Sequence, residues 1–176
     1  MNNLPQRKQI RFIHHNYSQG KYFITICTKN RIPFFGKFSS DKLILSDIGR
    51  IAQQNWREIP KNFPNTILDE FIIMPDHIHG IIILEKDSTG MINHAPTLSP
   101  IPNNPMTLPY TSLGHIIRSY KAKTTYIIRK FFGHSNFAWQ RIFYEHIILS
   151  ELALNNIRTY ICNNPKHHLD KKDRKH

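Results

Sequence analysis

Acidic residues are scarce in this chain. Only 12 Asp and Glu stand against 24 Lys and Arg in 176 residues, a net charge of +12 with a pI near 9.9. A surface so short of negative charge attracts polyanions, and nucleic acid is the commonest polyanion in a cell. An anionic membrane is the rival partner, but no basic amphipathic helix or lipidation signal accompanies the charge. Cysteine is scarce too. Cys27 and Cys162 form no CxxC motif, and they read as reduced thiols of a cytoplasmic protein. Long apolar runs are missing, "HGIIILE" being far too short to span a membrane. The opening "MNNLPQRKQIRF" lacks the apolar stretch of a signal peptide, so none is expected.

What is present suits one domain. The chain is 40% hydrophobic and long enough to bury its own core. Residues 1–20 read as a basic arm. "KYFITICTKN" (21–30) is apolar and β-branched, a strand, and "RIPFFGKF" reads as a turn-rich connection. Ser46 is placed to cap a helix through "DIGRIAQQNWREIPKNF" that stops near Pro60. "NTILDEFIIM" and "HIHGIIILE" read as strands joined by a tight turn at "PD". Five prolines and little periodicity make 86–110 a long flexible loop. "SLGHIIRSYKAKTTYIIRKFF" returns to helical spacing, "FAWQRIFYEHIIL" reads as a strand, and Ser150 caps a last helix that Pro165 should end. A polar, basic tail covers 166–176. The order predicts an α+β fold: a ferredoxin-like (RRM-like) antiparallel sheet with two packed helices, plus a C-terminal helix.

Within "FIIMPDHIHG", His77 and His79 flank Ile78. Side chains alternate on a strand, so both imidazoles share a face, with Cα atoms about 6.5 Å apart. Two imidazoles at that spacing can converge on one metal ion, but a third ligand is needed, and a lone HxH pair is more often structural. In "IRTYICNNP", Tyr160 and Asn164 lie one helical turn apart on one face. A phenol can serve as a nucleophile and an amide oxygen can ligate Mg²⁺ or Mn²⁺. The same residues also suit a packing anchor and a helix cap. Asp76 either orients a histidine or makes the turn. Tyr144 and His146 would share a face of the strand "IFYEHII", which makes Tyr144 the rival nucleophile.

Taken jointly, "MPDHIHGII", "IIRSYK", "WQRIFYEHII" and "IRTYICNNP" resemble the HUH single-tyrosine transposases, especially the REP-associated tyrosine transposase branch. The resemblance spans residues 21–167. It implies a catalytic Tyr160 and a metal ion held by His77, His79 and Asn164, where many insertion-sequence relatives carry Gln at the last position. It also implies a DNA transposase/endonuclease that cuts and rejoins single-stranded or hairpin DNA through a 5′-phosphotyrosine, with Mg²⁺ or Mn²⁺ as cofactor. That route needs no ATP, and the chain has no P-loop. Arg118, Lys121, Lys123 and Arg141 are the side chains expected on DNA phosphates. Insertion-sequence relatives are dimers and some REP-associated ones monomers, so a homodimer stays open. The competing reading from another class is a non-catalytic single-stranded nucleic-acid-binding protein on the same fold.

Overall fold

The computed structural model describes residues 19–85 and 112–173, with side chains of the last helix as far as Pro165. The expected arm and the proline-rich loop therefore lie outside the described residues, as do the side chains of the tail.

Four strands form the main sheet: β1 (Gly20–Cys27), β4 (Thr66–Met74), β5 (His77–Leu84) and β6 (Tyr144–Ile148). Their order is β4-β5-β1-β6, and every neighbouring pair is antiparallel. Between β1 and β4 come a two-stranded hairpin, β2 (Gly36–Ser39) with β3 (Lys42–Leu45), then helix α1 (Asp47–Arg57) and the single turn α2 (Ile59–Asn62). Helix α3 (Leu113–Phe132) joins β5 to β6, and α4 (Glu151–Asp173) follows β6. Without the hairpin and α4 this is the expected ferredoxin-like arrangement.

Strand alternation divides the sheet into two unlike faces. Tyr22, Ile24 and Ile26 of β1 and Ile78 and Ile82 of β5 point to one side, all fully buried. There they meet Ala52 and Trp56 of α1 and Ile116, Ile117 and Tyr120 of α3. A serine caps each helix, Ser46 as expected and Ser112 in addition. The Ser46 hydroxyl accepts from the Gly49 amide at 3.1 Å, and the Ser112 hydroxyl accepts from the His115 amide at 3.3 Å. A buried bond from Asn55 Nδ2 to Thr124 Oγ1, 3.1 Å, ties the two helices together. Gly80 lets Trp56 lie flat on β5, because a Cβ there would stand 2.4 Å from the indole.

The opposite face carries α4. Ile81, Ile148, Leu154 and Ile161 form a second, smaller core, with Phe23, Ile72 and Ile157 packed around it. Two ion pairs fix the helix in place. Lys21 on β1 pairs with Glu151, and Arg158 forks onto Asp69 of β4, with Nε to Oδ1 at 2.9 Å and a terminal nitrogen to Oδ2 at 2.5 Å. The Arg158 hydrogen bond holds the Asp69 carboxyl below its usual range despite partial burial.

Three expectations need correction. Pro165 does not end α4, which continues to Asp173. Proline removes one backbone donor but keeps a helical φ, and the buried Ile161 and Asn164 hold the turn before it against the sheet. The strand expected from Phe137 starts only at Tyr144, apart from one bridge between Trp139 and Thr28. Side chains from α3 take the carbonyls of the intervening segment: Arg129 donates to Phe137 O, and Lys121 donates to Gln140 O at 2.7 Å. The connection after β1 is not merely turns, since it holds the β2–β3 hairpin. Ser40 and Asp41 make its tight turn, with φ of 46° and 61°.

Candidate active site

His77 and His79 open β5, an interior strand paired on both edges. Register sets their neighbours. His77 lies between Cys27 of β1 and Met74 of β4, and His79 lies between Thr25 and Ile72. Both imidazoles point to the α4 face and are more than nine-tenths buried.

Each ring is held by its Nδ1 atom. His77 Nδ1 lies 2.6 Å from Asp76 Oδ1, and His79 Nδ1 lies 2.9 Å from Thr25 Oγ1. The two Nε2 atoms consequently face each other at 3.1 Å. Burial would raise the Asp76 carboxyl, but the hydrogen bond and charge of His77, with the charge of Arg31, bring it below its usual range. Burial pushes His79 down to about 3, assisted by the charges of His77 and Arg31. His79 is therefore neutral at pH 7, the state that a metal ligand requires.

The pair fits a divalent ion. Their Nε2 atoms, 3.1 Å apart, are near enough for both rings to ligate one ion. Asp76 and Thr25 supply the outer bonds that metal-binding histidines usually make. Among the described residues no cluster of three His, Cys, Asp or Glu is placed to hold a metal.

Tyr160 reaches this site from the far end of the chain. Its ring lies edge-on to His79, centroids 5.4 Å apart, and edge-on to Phe23 at 6.0 Å. The residue is 44% exposed, so one side of the phenol packs on the site and the other meets solvent. Asn164, one turn further, is buried on the stripe of α4 that includes Leu154 and Ile161 and faces the sheet. The hydrogen bonds of the histidine pair run to Asp76 and Thr25, and none runs to Asn164. Tyr144 shares the site's face but pairs across to Thr25, one strand removed from His79, and is exposed.

Three of the four expected phosphate contacts converge. Arg118, Lys121 and Arg141 line one cavity of about 760 Å³ between α3 and the segment before β6, with Ile142 and Phe143 as its apolar wall. Lys123 lies apart from that cavity, bonded to Glu58 at 2.7 Å. Asp76 lies in the turn between β4 and β5, with its carboxylate on the His77 ring.

Two residues escaped the sequence reading. Thr25 is one β-branched residue among several in a strand, and only the β1–β5 register reveals that it holds His79. Arg31 lies in the turn after β1. Its Nε donates to Asp76 Oδ2 at 2.8 Å and a terminal nitrogen donates to Cys27 Sγ at 2.8 Å. Asn30 and Arg31 both take left-handed backbone angles, each with φ of 56°. Such a conformation costs Arg31 about 1–2 kcal/mol, and Asn30 less, since asparagine adopts it readily. The Thr28 hydroxyl stabilises the turn by donating to Ile32 O at 2.8 Å and Asp76 O at 3.0 Å.

The chain has the fold of a solved REP-associated tyrosine transposase bound to a REP hairpin, with a TM-score of 0.60 and 18% identity over 90% of this chain and 74% of that one. The crystal structure of a protein described as a putative transposase from Deinococcus radiodurans is also similar, at a TM-score of 0.49 and 15% identity over 89% of this chain and 96% of that one. No protein-family model matches. An uncharacterized protein of Haemophilus influenzae is 41% identical over 164 residues, covering 92% of this chain and 89% of that one, and this chain belongs to its family.

Proposed function

We propose that the protein is a metal-dependent DNA transposase/endonuclease of the HUH type, which cleaves and rejoins single-stranded or hairpin DNA through Tyr160. The observation that carries this reading is the packing of Tyr160 on His79, whose Nε2 faces that of His77. Core packing alone does not require a half-exposed phenol beside two preoriented imidazoles.

In this reading His77, His79 and Asn164 hold a Mg²⁺ or Mn²⁺ ion. When bound, that ion supplies Lewis-acid polarisation of a phosphate oxygen. Tyr160 supplies the nucleophile. Its oxygen attacks phosphorus and gives up its proton as the phosphorus–O3′ bond breaks, and the departing 3′-oxygen takes a proton. The downstream strand is left joined to Tyr160 through its 5′-phosphate. Attack by another 3′-hydroxyl on this linkage reverses the exchange and joins strands without ATP. Asp76 and Thr25 fix the imidazole orientations, and burial keeps His79 neutral. Arg118 and Arg141 border the cavity in which the DNA backbone is held, while Lys121 chiefly braces the cavity wall. The tyrosine and the histidine pair meet within one chain, so no second copy is needed to bring them together.

The test is incubation of a labelled DNA hairpin carrying single-stranded flanks with the protein and Mn²⁺. A covalent protein–DNA adduct supports the reading. DNA binding with no adduct under any divalent ion favours the non-catalytic alternative.

A further inference from the structure

We propose that Arg31 is a phosphate-binding residue of this site, its guanidinium holding the DNA phosphate beside the histidine pair. The proposal rests on the reading that the site acts on DNA. Register supplies the placement. Cys27 and His77 are direct cross-strand partners and share a face, so a guanidinium bonded to Cys27 Sγ lies beside His77. Its second bond, to Asp76 Oδ2, orients its plane along the same edge of the site.

Those two bonds engage two of the five N–H donors that an arginine carries. About half of the side chain remains exposed. A half-exposed ion pair stabilises a fold only slightly, while Arg31 holds a left-handed backbone that is unfavourable for a residue other than glycine or asparagine. Backbone strain of this kind clusters at functional sites. A guanidinium held on two points also matches the fork geometry of phosphate recognition.

The experiment compares wild type, Arg31→Gln and Arg31→Lys by three measurements. These are Mn²⁺ affinity without DNA, the salt dependence of affinity for a fluorescent hairpin oligonucleotide with single-stranded flanks, and the rate of adduct formation. If Arg31 holds a phosphate, Arg31→Gln makes the slope of log affinity against log salt shallower by about 0.7. It slows adduct formation on the order of 100-fold. Mn²⁺ affinity stays level or rises, since a positive charge near the ion has gone. Arg31→Lys keeps the charge, so the salt slope returns, while the lost fork leaves the rate below wild type.

If Arg31 is only a clip that steadies Asp76, the glutamine variant weakens Mn²⁺ binding and leaves the salt slope unchanged, and that result overturns the proposal. A slope that stays shallow in Arg31→Lys also overturns it. Should the glutamine variant fail to fold, the lysine variant decides: a slower rate at wild-type Mn²⁺ affinity supports the assignment, and an unchanged rate refutes it. If wild type itself forms no adduct, the nuclease reading falls, and the salt slope still settles whether Arg31 touches a phosphate.

Discussion

The two faces of the sheet are made by the same strands and do opposite things. On the α1–α3 face, β1 and β5 contribute Tyr22, Ile24, Ile26, Ile78 and Ile82, sealed under two helices. On the α4 face the intervening residues are Phe23, Thr25, Cys27, His77 and His79, covered by one helix that leaves Tyr160 half open. A single residue step along either strand therefore passes from the larger core to the histidine pair. In the proposed reading, stability and activity are interleaved residue by residue, and a substitution strikes mainly one or the other.

The sharpest way to break that division is Tyr160→Phe. It removes one oxygen from the open face and nothing from either core. The expected result is complete loss of the covalent adduct, with thermal unfolding and DNA affinity near wild type. Tyr144→Phe should still form the adduct. An adduct that persists in Tyr160→Phe but disappears in Tyr144→Phe would move the nucleophile to β6.

His77→Ala and His79→Ala come next. Each should abolish Mn²⁺ binding and cleavage while largely sparing affinity for DNA, since an ion on this pair serves the chemical step more than docking. Isothermal titration with Mn²⁺ and gel-shift measurements separate the two. Wild-type cleavage in the double variant would make the pair structural.

Gly80→Ala tests the opposite face from the position next to His79. The added methyl collides with Trp56, and overpacking of this kind costs about 1–3 kcal/mol. Tm should fall by several degrees, while Mn²⁺ affinity of the folded protein holds. Thr25→Val should cost roughly tenfold in Mn²⁺ affinity by removing the partner of His79 Nδ1, and Thr25→Ser should restore it.

The smallest effect concerns the docking of α4. Asp69 titrates below its unfolded value because of Arg158, so it stabilises the folded state above the usual carboxylate range. That contribution is lost as pH falls below about 3.8 toward the depressed folded value. Asp69→Asn should lower stability near neutral pH by about 1 kcal/mol or less. Its acid-unfolding profile should be correspondingly flatter, as followed by circular dichroism.

Sequence made the division between the faces visible only in part. Alternation in "HIHGIIIL" puts the histidines on one face, and a four-residue spacing puts Tyr160 and Asn164 on one helix face, because both rules are local. Thr25 was hidden because its role depends on which residue of β1 lies opposite His79, a matter of register. Arg31 was hidden because a left-handed pair without glycine leaves no compositional mark. The late start of β6 was missed because Arg129 and Lys121, remote in sequence, take the carbonyls that a strand partner would have taken. The long reach of α4 was missed because proline is a strong local signal, and the burial of Ile161 and Asn164 on the turn before it outweighed that signal.

The interior position of β5 sets an order in which the molecule can come apart. Amide hydrogens on a strand flanked on both sides exchange with solvent chiefly when the whole sheet opens. Tyr160 rides instead on an outer helix fastened by two ion pairs and a small apolar patch. On gentle warming, hydrogen exchange should appear along α4 well before it appears at residues 77–79. Tyr160 would leave while the imidazoles kept their spacing, a reversible local opening that needs no global unfolding and that would switch off the proposed activity.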